Sequence, residues 1–354
     1  MTTSTLGSQT RAFVLVSFVT LVGCAADVEQ TASPAGAPGS SAADYVPPAV
    51  AAESHDLEQA DFERLMSALS NWGRWGTDDQ LGTANLVTPA KRLEATGLAR
   101  EGTTVSLARV LLTEAAPDVT QPFGHSMLRV PGLLDVALDE YRVAYHGYAH
   151  SHIDALCHFM YRGQMYNGFS QDTITEDGCT RASIMGLADG IVTRGVLVDI
   201  PRLKGVPYLE PGTPIYLGDI EAWEQMAGVT VRPGDAVFVR TGRWARRAAL
   251  GPWDVRAESA GLHASAAPWL RARDVAFMGS DAALDVAPSQ IPGVQSPVHL
   301  LTLVAMGIHL FDNQDLEALA ETAAGLNRWE FMFVAGPLPV EGGTGSPLNA
   351  LAIF

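Results

Sequence analysis

Between Tyr145 and His158 the chain places four of its nine histidines, His146, His150, His152 and His158, together with Asp154. That density of imidazole and carboxylate restricts what can be built around it, because the flanking residues are apolar and few unpaired imidazoles survive burial. In an extended stretch residues two apart share a face, so His150, His152 and Asp154 are expected to point the same way. Asp154 and His158, four apart, meet if the chain turns helical between them. Imidazole nitrogen and carboxylate oxygen together suit zinc, manganese or iron(II). The segment reads as a metal site, with a ligand-free polar surface loop as the alternative.

With 354 residues, 47% of them hydrophobic, and a mean hydropathy of +0.11, the chain can bury a large core. A formal charge of -16 argues against a nucleic-acid partner, which would call for basic patches that neutralise phosphates. The most basic patch, Arg243-Trp244-Ala245-Arg246-Arg247, reads as a solvated helix or loop face.

Three cysteines cannot form a disulfide framework, and their spacing is not that of a metal finger. Arg11, the apolar run 12–22 and the sequence Leu21-Val22-Gly23-Cys24 read as a secretory signal ending in a bacterial lipobox. Residues 1–24 are therefore expected to be a lipoprotein signal peptide. Lipid on Cys24 would anchor the mature protein to a membrane, on the periplasmic or cell-surface side. Residues 25–54, rich in Ala, Pro, Ser and Gly, read as a disordered tether. Cys157 and Cys179 are expected to be free thiols.

Residues 55–354 then form the folded domain. Apolar residues at helical spacing predict a helix over 57–69, and Thr88-Pro89 reads as the cap and first-turn proline of another running to Leu98. Strand-like runs at 104–107, 195–200, 236–240 and 275–279 alternate with helical patterns at 219–227, 264–273 and 299–307, an α/β arrangement. Neither a glycine-rich phosphate loop nor a Gly-x-Ser-x-Gly elbow is present. The tail Glu341–Pro347 reads as a tight turn near a site wall.

Several pieces together resemble the cyclase family, whose members include arylformamidases (kynurenine formamidase-like) and isatin hydrolase. They are Asn71-Trp72-Gly73-Arg74-Trp75-Gly76 with Leu81-Gly82-Thr83-Ala84-Asn85, then Ser151–His158, Arg194–Asp199, Arg240-Thr241-Gly242, Gly279-Ser280-Asp281, and Pro297-Val298-His299 through Gly307 to Asp312-Asn313. The resemblance covers nearly all of residues 70–354. It implies a swivelling β/β/α fold, one or two divalent ions (Mn2+ or Zn2+) per chain, and opening of a cyclic or N-acyl amide of a small, aromatic-type substrate. It also implies a homodimer or larger homo-oligomer.

Two departures from the family pattern stand out. Small formamidases read His-x-Gly-Thr-His-x-Asp-x-Pro-x-His, whereas here the first His falls on Tyr148, the Gly on His150 and the Pro on Leu156. His150 or His146 is the candidate replacement ligand. Downstream, those enzymes place a metal-binding His and Glu twelve apart, whereas here His299 and Asp312 are thirteen apart, with the extra residue falling between His299 and Gly307.

The expected site thus has His152, Asp154, His299, Asp312 and His150 as metal ligands. His158, at the position of the family's general acid and base, is the proton shuttle, with a third-ligand role as its alternative. Trp72, Trp75, His125, Phe159 and His263 are candidate substrate contacts, and His309 reads as structural. The expected reaction is hydrolysis by metal-activated water. Lactone hydrolysis at the same site, or a catalytically inactive surface binding protein on the same fold, are the alternatives.

Overall fold

The computed structural model describes residues 45–52, 54–128 and 136–354. Val46–Phe354 is one compact unit. The expected signal peptide, Cys24 and most of the expected tether lie outside the described residues. Among those described, no helix is long and apolar enough to cross a membrane.

The core is a nine-stranded sheet. In chain order its strands are β1 Thr104–Ser106, β2 His152–Asp154, β3 Ile191–Asp199, β4 Ala236–Arg240, β5 Phe277–Ser280, β6 His309–Asp312, β7 Glu330–Ala335, β8 Gly345–Pro347 and β9 Leu351–Ile353. Their spatial order is β1-β9-β7-β3-β4-β5-β6-β2-β8. The central four, β3 to β6, run parallel, and the strands on either side join antiparallel. Parallel strands covered on both faces need continuous apolar runs. Gly195-Val196-Leu197-Val198 and Ala236-Val237-Phe238-Val239 supply them and are buried throughout.

Helices form where propensity and caps agree. Thr88 accepts a hydrogen bond from the Lys91 amide at 3.2 Å, and Pro89 opens the helix Pro89–Thr96 without losing an intrahelical bond. The helix Leu217–Ala227 ends on Gly228 at φ +63° and plants Trp223 against the sheet, its indole N–H donating to the Leu197 carbonyl at 2.8 Å. The basic patch is not a solvated face. Arg243 and Trp244 open the helix Arg243–Leu250 and are buried, with the guanidinium stacked 4.1 Å from the indole centroid and donating to Asn313.

The stretch that carries one residue more than the family spacing is wound as a π-helix, Leu300–Met306, closed by Gly307 at φ +70°. A hydrogen bond to the fifth residue encloses one residue more than an α-helical bond does, a winding that accommodates an extra residue. The carbonyl of Gly307 accepts from the Thr83 amide and hydroxyl, so this corner is tied to the 82–86 turn.

Register decides where the functional groups go. β2 and β6 pair with Asp312 opposite His152 and Leu310 opposite Asp154. His152 and Asp154, two apart, share a face of β2, and Asp312 joins them across the ladder. The cluster therefore lies beyond the carboxyl end of the last parallel strand, where open α/β sheets place their ligands.

Candidate metal centre

Two groups of side chains converge, each with donor atoms within 4.8 Å of one another: His146, His152 and Asp154, and Asp154, His299 and Asp312. Asp154 belongs to both. His146 Nδ1 lies 3.0 Å and His152 Nε2 3.4 Å from Asp154 Oδ1, and His299 Nε2 lies 3.3 Å from Asp312 Oδ2. Two ligands sharing a tetrahedral ion at ordinary bond lengths would sit ~3.3 Å apart.

The His146–Asp154 contact has the distance of an ion pair but not the alignment of a hydrogen bond. His146 Nδ1, Asp154 Oδ1 and Asp312 Oδ1 are buried polar atoms left without a hydrogen-bond partner. Unanswered buried donors and acceptors are expensive, and cations held by the two groups would answer all three. The outer contacts prepare the ligands. His152 Nδ1 is 2.8 Å from the His150 carbonyl, which can only accept, so the proton sits on Nδ1 and the Nε2 lone pair faces the cluster. His299 Nδ1 is 2.5 Å from Asp285 Oδ2 and orients the ring in the same manner. His146 Nε2 rests 2.9 Å from the Thr344 hydroxyl, part of the glycine-rich tail. The residues present fit a divalent ion.

Electrostatics agree. Burial disfavours charge on His152 and His299, yet Asp154 on the first, and Asp285 and Asp312 on the second, outweigh it and hold both above the ordinary imidazole value. Burial likewise opposes ionisation of Asp154, but His158, His146 and His152 keep its carboxyl well below the usual range. The carboxylates draw positive charge into the cleft. His158 differs: burial pushes its pKa down to about 4, so it is neutral at neutral pH and free to accept a proton. Its Nε2 is 4.0 Å from Asp154 Oδ2, outside both ligand groups, and its ring lies flat on His146 at 3.7 Å.

The cluster opens into a cavity of about 450 Å³ lined by Tyr148, His152, Asp154, His158, Phe159, Arg256, Asp285, His299 and Asp312 among others. Three non-glycine residues beside the acidic wall hold left-handed backbone: Leu284 (φ +56°), Ser296 (φ +47°) and Asn313 (φ +54°). Each conformation costs ~1–3 kcal/mol and persists only where the surroundings enforce it. Asn313 shows how. Its side chain donates to the Gly147 carbonyl at 2.5 Å and accepts from Arg243 at 2.5 Å, pinning the histidine loop to the end of β6.

Of the sequence-derived residues, His152, Asp154, His158, Phe159, His299 and Asp312 meet here. His150 does not. Its Nε2 faces the Gln121 carbonyl at 3.2 Å, because β2 begins only at His152 and strand alternation does not reach back through the turn at 146–149. That turn swings His146 into the cluster instead, with Gly147 at φ +115° making the reversal. Trp72 donates its indole N–H to the Val304 carbonyl at 2.7 Å on the π-helix, and Trp75 is covered by the Arg74 guanidinium at 4.6 Å. His125 pairs with Asp139 at 3.2 Å on the exposed hairpin of Gly124–Leu128 with Leu138–Arg142. His263 bonds Ser265 at 2.8 Å as a helix cap. None of these four lines the cavity. Asp285 and Arg256 were missed, and no local sequence signal marks either, since Asp285 lies fourteen positions before the histidine it orients.

Residues 117–285 match the family described as putative cyclase. A solved structure of a novel cyclase is 31% identical, covers 80% of this chain and 99% of its own, and superposes with a TM-score of 0.72. The chain belongs to the cyclase family. An isatin hydrolase bound to the product analogue thioisatinate shares the fold at 20% identity, covering 75% of this chain and 99% of its own, with a TM-score of 0.51. Isatin hydrolase A from Ralstonia solanacearum does so at 21%, 75%, 97% and 0.50. No curated protein matches the chain. The expected cyclase-family α/β fold is therefore the observed one.

Proposed function

We propose that this cyclase-family protein is a metal-dependent hydrolase that opens a cyclic or N-acyl amide, of the N-formyl arylamine or lactam type. The observation that carries the reading is the Asp154 carboxylate shared by two groups of converging His and Asp donors, with three buried donor or acceptor atoms left unanswered beside an open cavity that Asp154 and Asp312 line. His146, His152 and Asp154 would hold one ion, and Asp154, His299 and Asp312 a second. A zinc or manganese ion there supplies Lewis acidity and a nucleophile at neutral pH.

The chain's own residues do the rest. Phe159, 4.9 Å from His299 and tilted 35° to it, offers an apolar wall for a planar substrate. His158 is neutral and partly open to the cavity, its side chain 26% exposed. It takes a proton from the attacking water and returns it to the leaving nitrogen, which breaks the C–N bond and leaves an amine and a carboxylic acid that releases its own proton to solvent. The family resemblance supports the bond class, and isatin, named in the solved relatives, is itself a cyclic amide. Attachment to a membrane through lipid on Cys24, after export, belongs to the same proposal and rests on the sequence around that residue.

Elemental analysis tests the reading first, on the parent and on His152→Ala and Asp154→Ala. We expect one or two ions per chain, lost in both variants, and release of formate from an N-formyl arylamine by the loaded parent. Absence of bound metal after reconstitution overturns the hydrolase and leaves a binding protein on this fold.

A further inference from the structure

Tyr148 and Arg256 are not explained by holding an ion. Both line the main cavity, and both also line a neighbouring one of about 440 Å³ that includes Thr120, Gln121 and His146. They stand on the wall the two spaces share. Among the described residues neither the phenol hydroxyl nor the guanidinium has a hydrogen-bond or ion-pair partner.

Their backbones, by contrast, are fixed. The Tyr148 carbonyl accepts from the buried Arg243 guanidinium, and the preceding Gly147 carbonyl from Asn313. The amides of Arg256 and Ala257 both donate to Asp254 Oδ1 at 3.1 Å. Two hydrogen-bond donors, one of them permanently cationic, are thus anchored by their backbones on one wall with no protein acceptor, Arg256 exposed and Tyr148 half-buried. A guanidinium with a neighbouring hydroxyl is the donor set that recognises a carboxylate. Tyr148 belongs to neither group of converging His and Asp donors, so its hydroxyl is not committed to an ion.

We propose that Tyr148 and Arg256 form an anion subsite, and that the substrate is an amide carrying a carboxylate beside the scissile bond. The proposal rests on the hydrolase reading of the same cavity and names its substrate class. Recognition requires no new bond: the guanidinium and the phenol both donate to the substrate's carboxylate, which orients the acyl group toward the Asp154 cluster.

Benzoate and benzamide, alike in shape and different in charge, are the probes. Each is titrated by calorimetry into the metal-reconstituted parent, Arg256→Gln and Tyr148→Phe, with metal content measured alongside. We expect benzoate affinity to fall about ten- to a hundredfold in Arg256→Gln, the range for losing a charged hydrogen bond, and by less in Tyr148→Phe. Benzamide binding and metal content should not change. In turnover, 2-(formylamino)benzoate should be preferred over N-formylaniline by the parent, and Arg256→Gln should lose that preference. Benzoate binding equal in parent and Arg256→Gln, which would place the anion on the metal alone, overturns the proposal, as does equal loss of both probes. If benzoate discrimination holds and neither formamide is cleaved, the subsite stands and the hydrolase reading fails.

Discussion

Two buried carboxylates, Asp281 and Asp154, sit near the same end of the sheet and have opposite surroundings. Asp281, just beyond β5, accepts from the Thr241 amide and hydroxyl, the Gly242 amide and the Arg243 amide at 2.7–3.2 Å. Its lone pairs are answered at the start of the helix Arg243–Leu250, where burial still pushes its pKa up against the hydrogen bonds from Thr241 and Gly242. Asp154 is equally buried, yet its Oδ1 has no hydrogen bond and its neighbours are imidazoles at distances suited to a shared ion. A satisfied buried carboxylate holds a fold together, and an unsatisfied one ringed by lone pairs holds a ligand.

The largest expected effects separate the pair directly. Asp154→Asn should lose its metal altogether, read by elemental analysis. Asp281→Asn should keep a full complement per folded chain and lose about 3 kcal/mol of stability in urea denaturation, because a neutral amide cannot answer three backbone N–H groups and a hydroxyl. Metal loss in both variants would erase the distinction. His158→Ala comes next, with turnover down about a hundredfold or more and metal retained, since a positioned acid–base group contributes on that scale. Loss of an ion in that variant would make His158 a ligand instead.

Asp285→Asn probes the outer contact to His299. A roughly ten- to hundredfold weaker metal affinity, measured by competition with a chelator, is expected from removing a partner that orients a ligand. An unchanged affinity would confine the ion to the His146 group. The smallest effect concerns His309, whose burial pushes its pKa down to about 3, from an ordinary 6.5. Below pH 6.5 the unfolded chain binds a proton that the folded chain refuses, so stability from this group is complete above pH 6.5 and declines as pH falls toward 3. In His309→Asn, denaturation midpoints measured across that window should fall less steeply on the acid side. An identical acid limb would mean that the site is already hydrated or relaxed.

Much of this was legible in the chain itself. The helix cap at Thr88, the apolar runs of β3 and β4 and the pairing of His152 with Asp154 follow from local rules, because capping, burial and strand alternation act over a few residues. The extra residue after His299 was visible as a spacing, and its accommodation as a π-helix was not, since backbone winding responds to the packed corner at Gly307 and Thr83. His150 failed for an instructive reason. Alternation was extended past the start of the strand into a turn, where a side chain's direction is set by the turn and not by period two. Trp72, Trp75, His125 and His263 are chemically apt for a pocket and were brought to other walls by the long-range course of the chain.

By itself the sequence determined that this chain carries an imidazole–carboxylate cluster on an α/β core, because ligand chemistry and apolar periodicity are properties of neighbouring residues. The tertiary structure alone decided that His146 and not His150 joins the cluster, that Asp285 orients His299, and that Tyr148 and Arg256 share a wall. Those are meetings between segments separated by turns, strands and long loops, and no local rule specifies the distance at which two remote side chains come to rest.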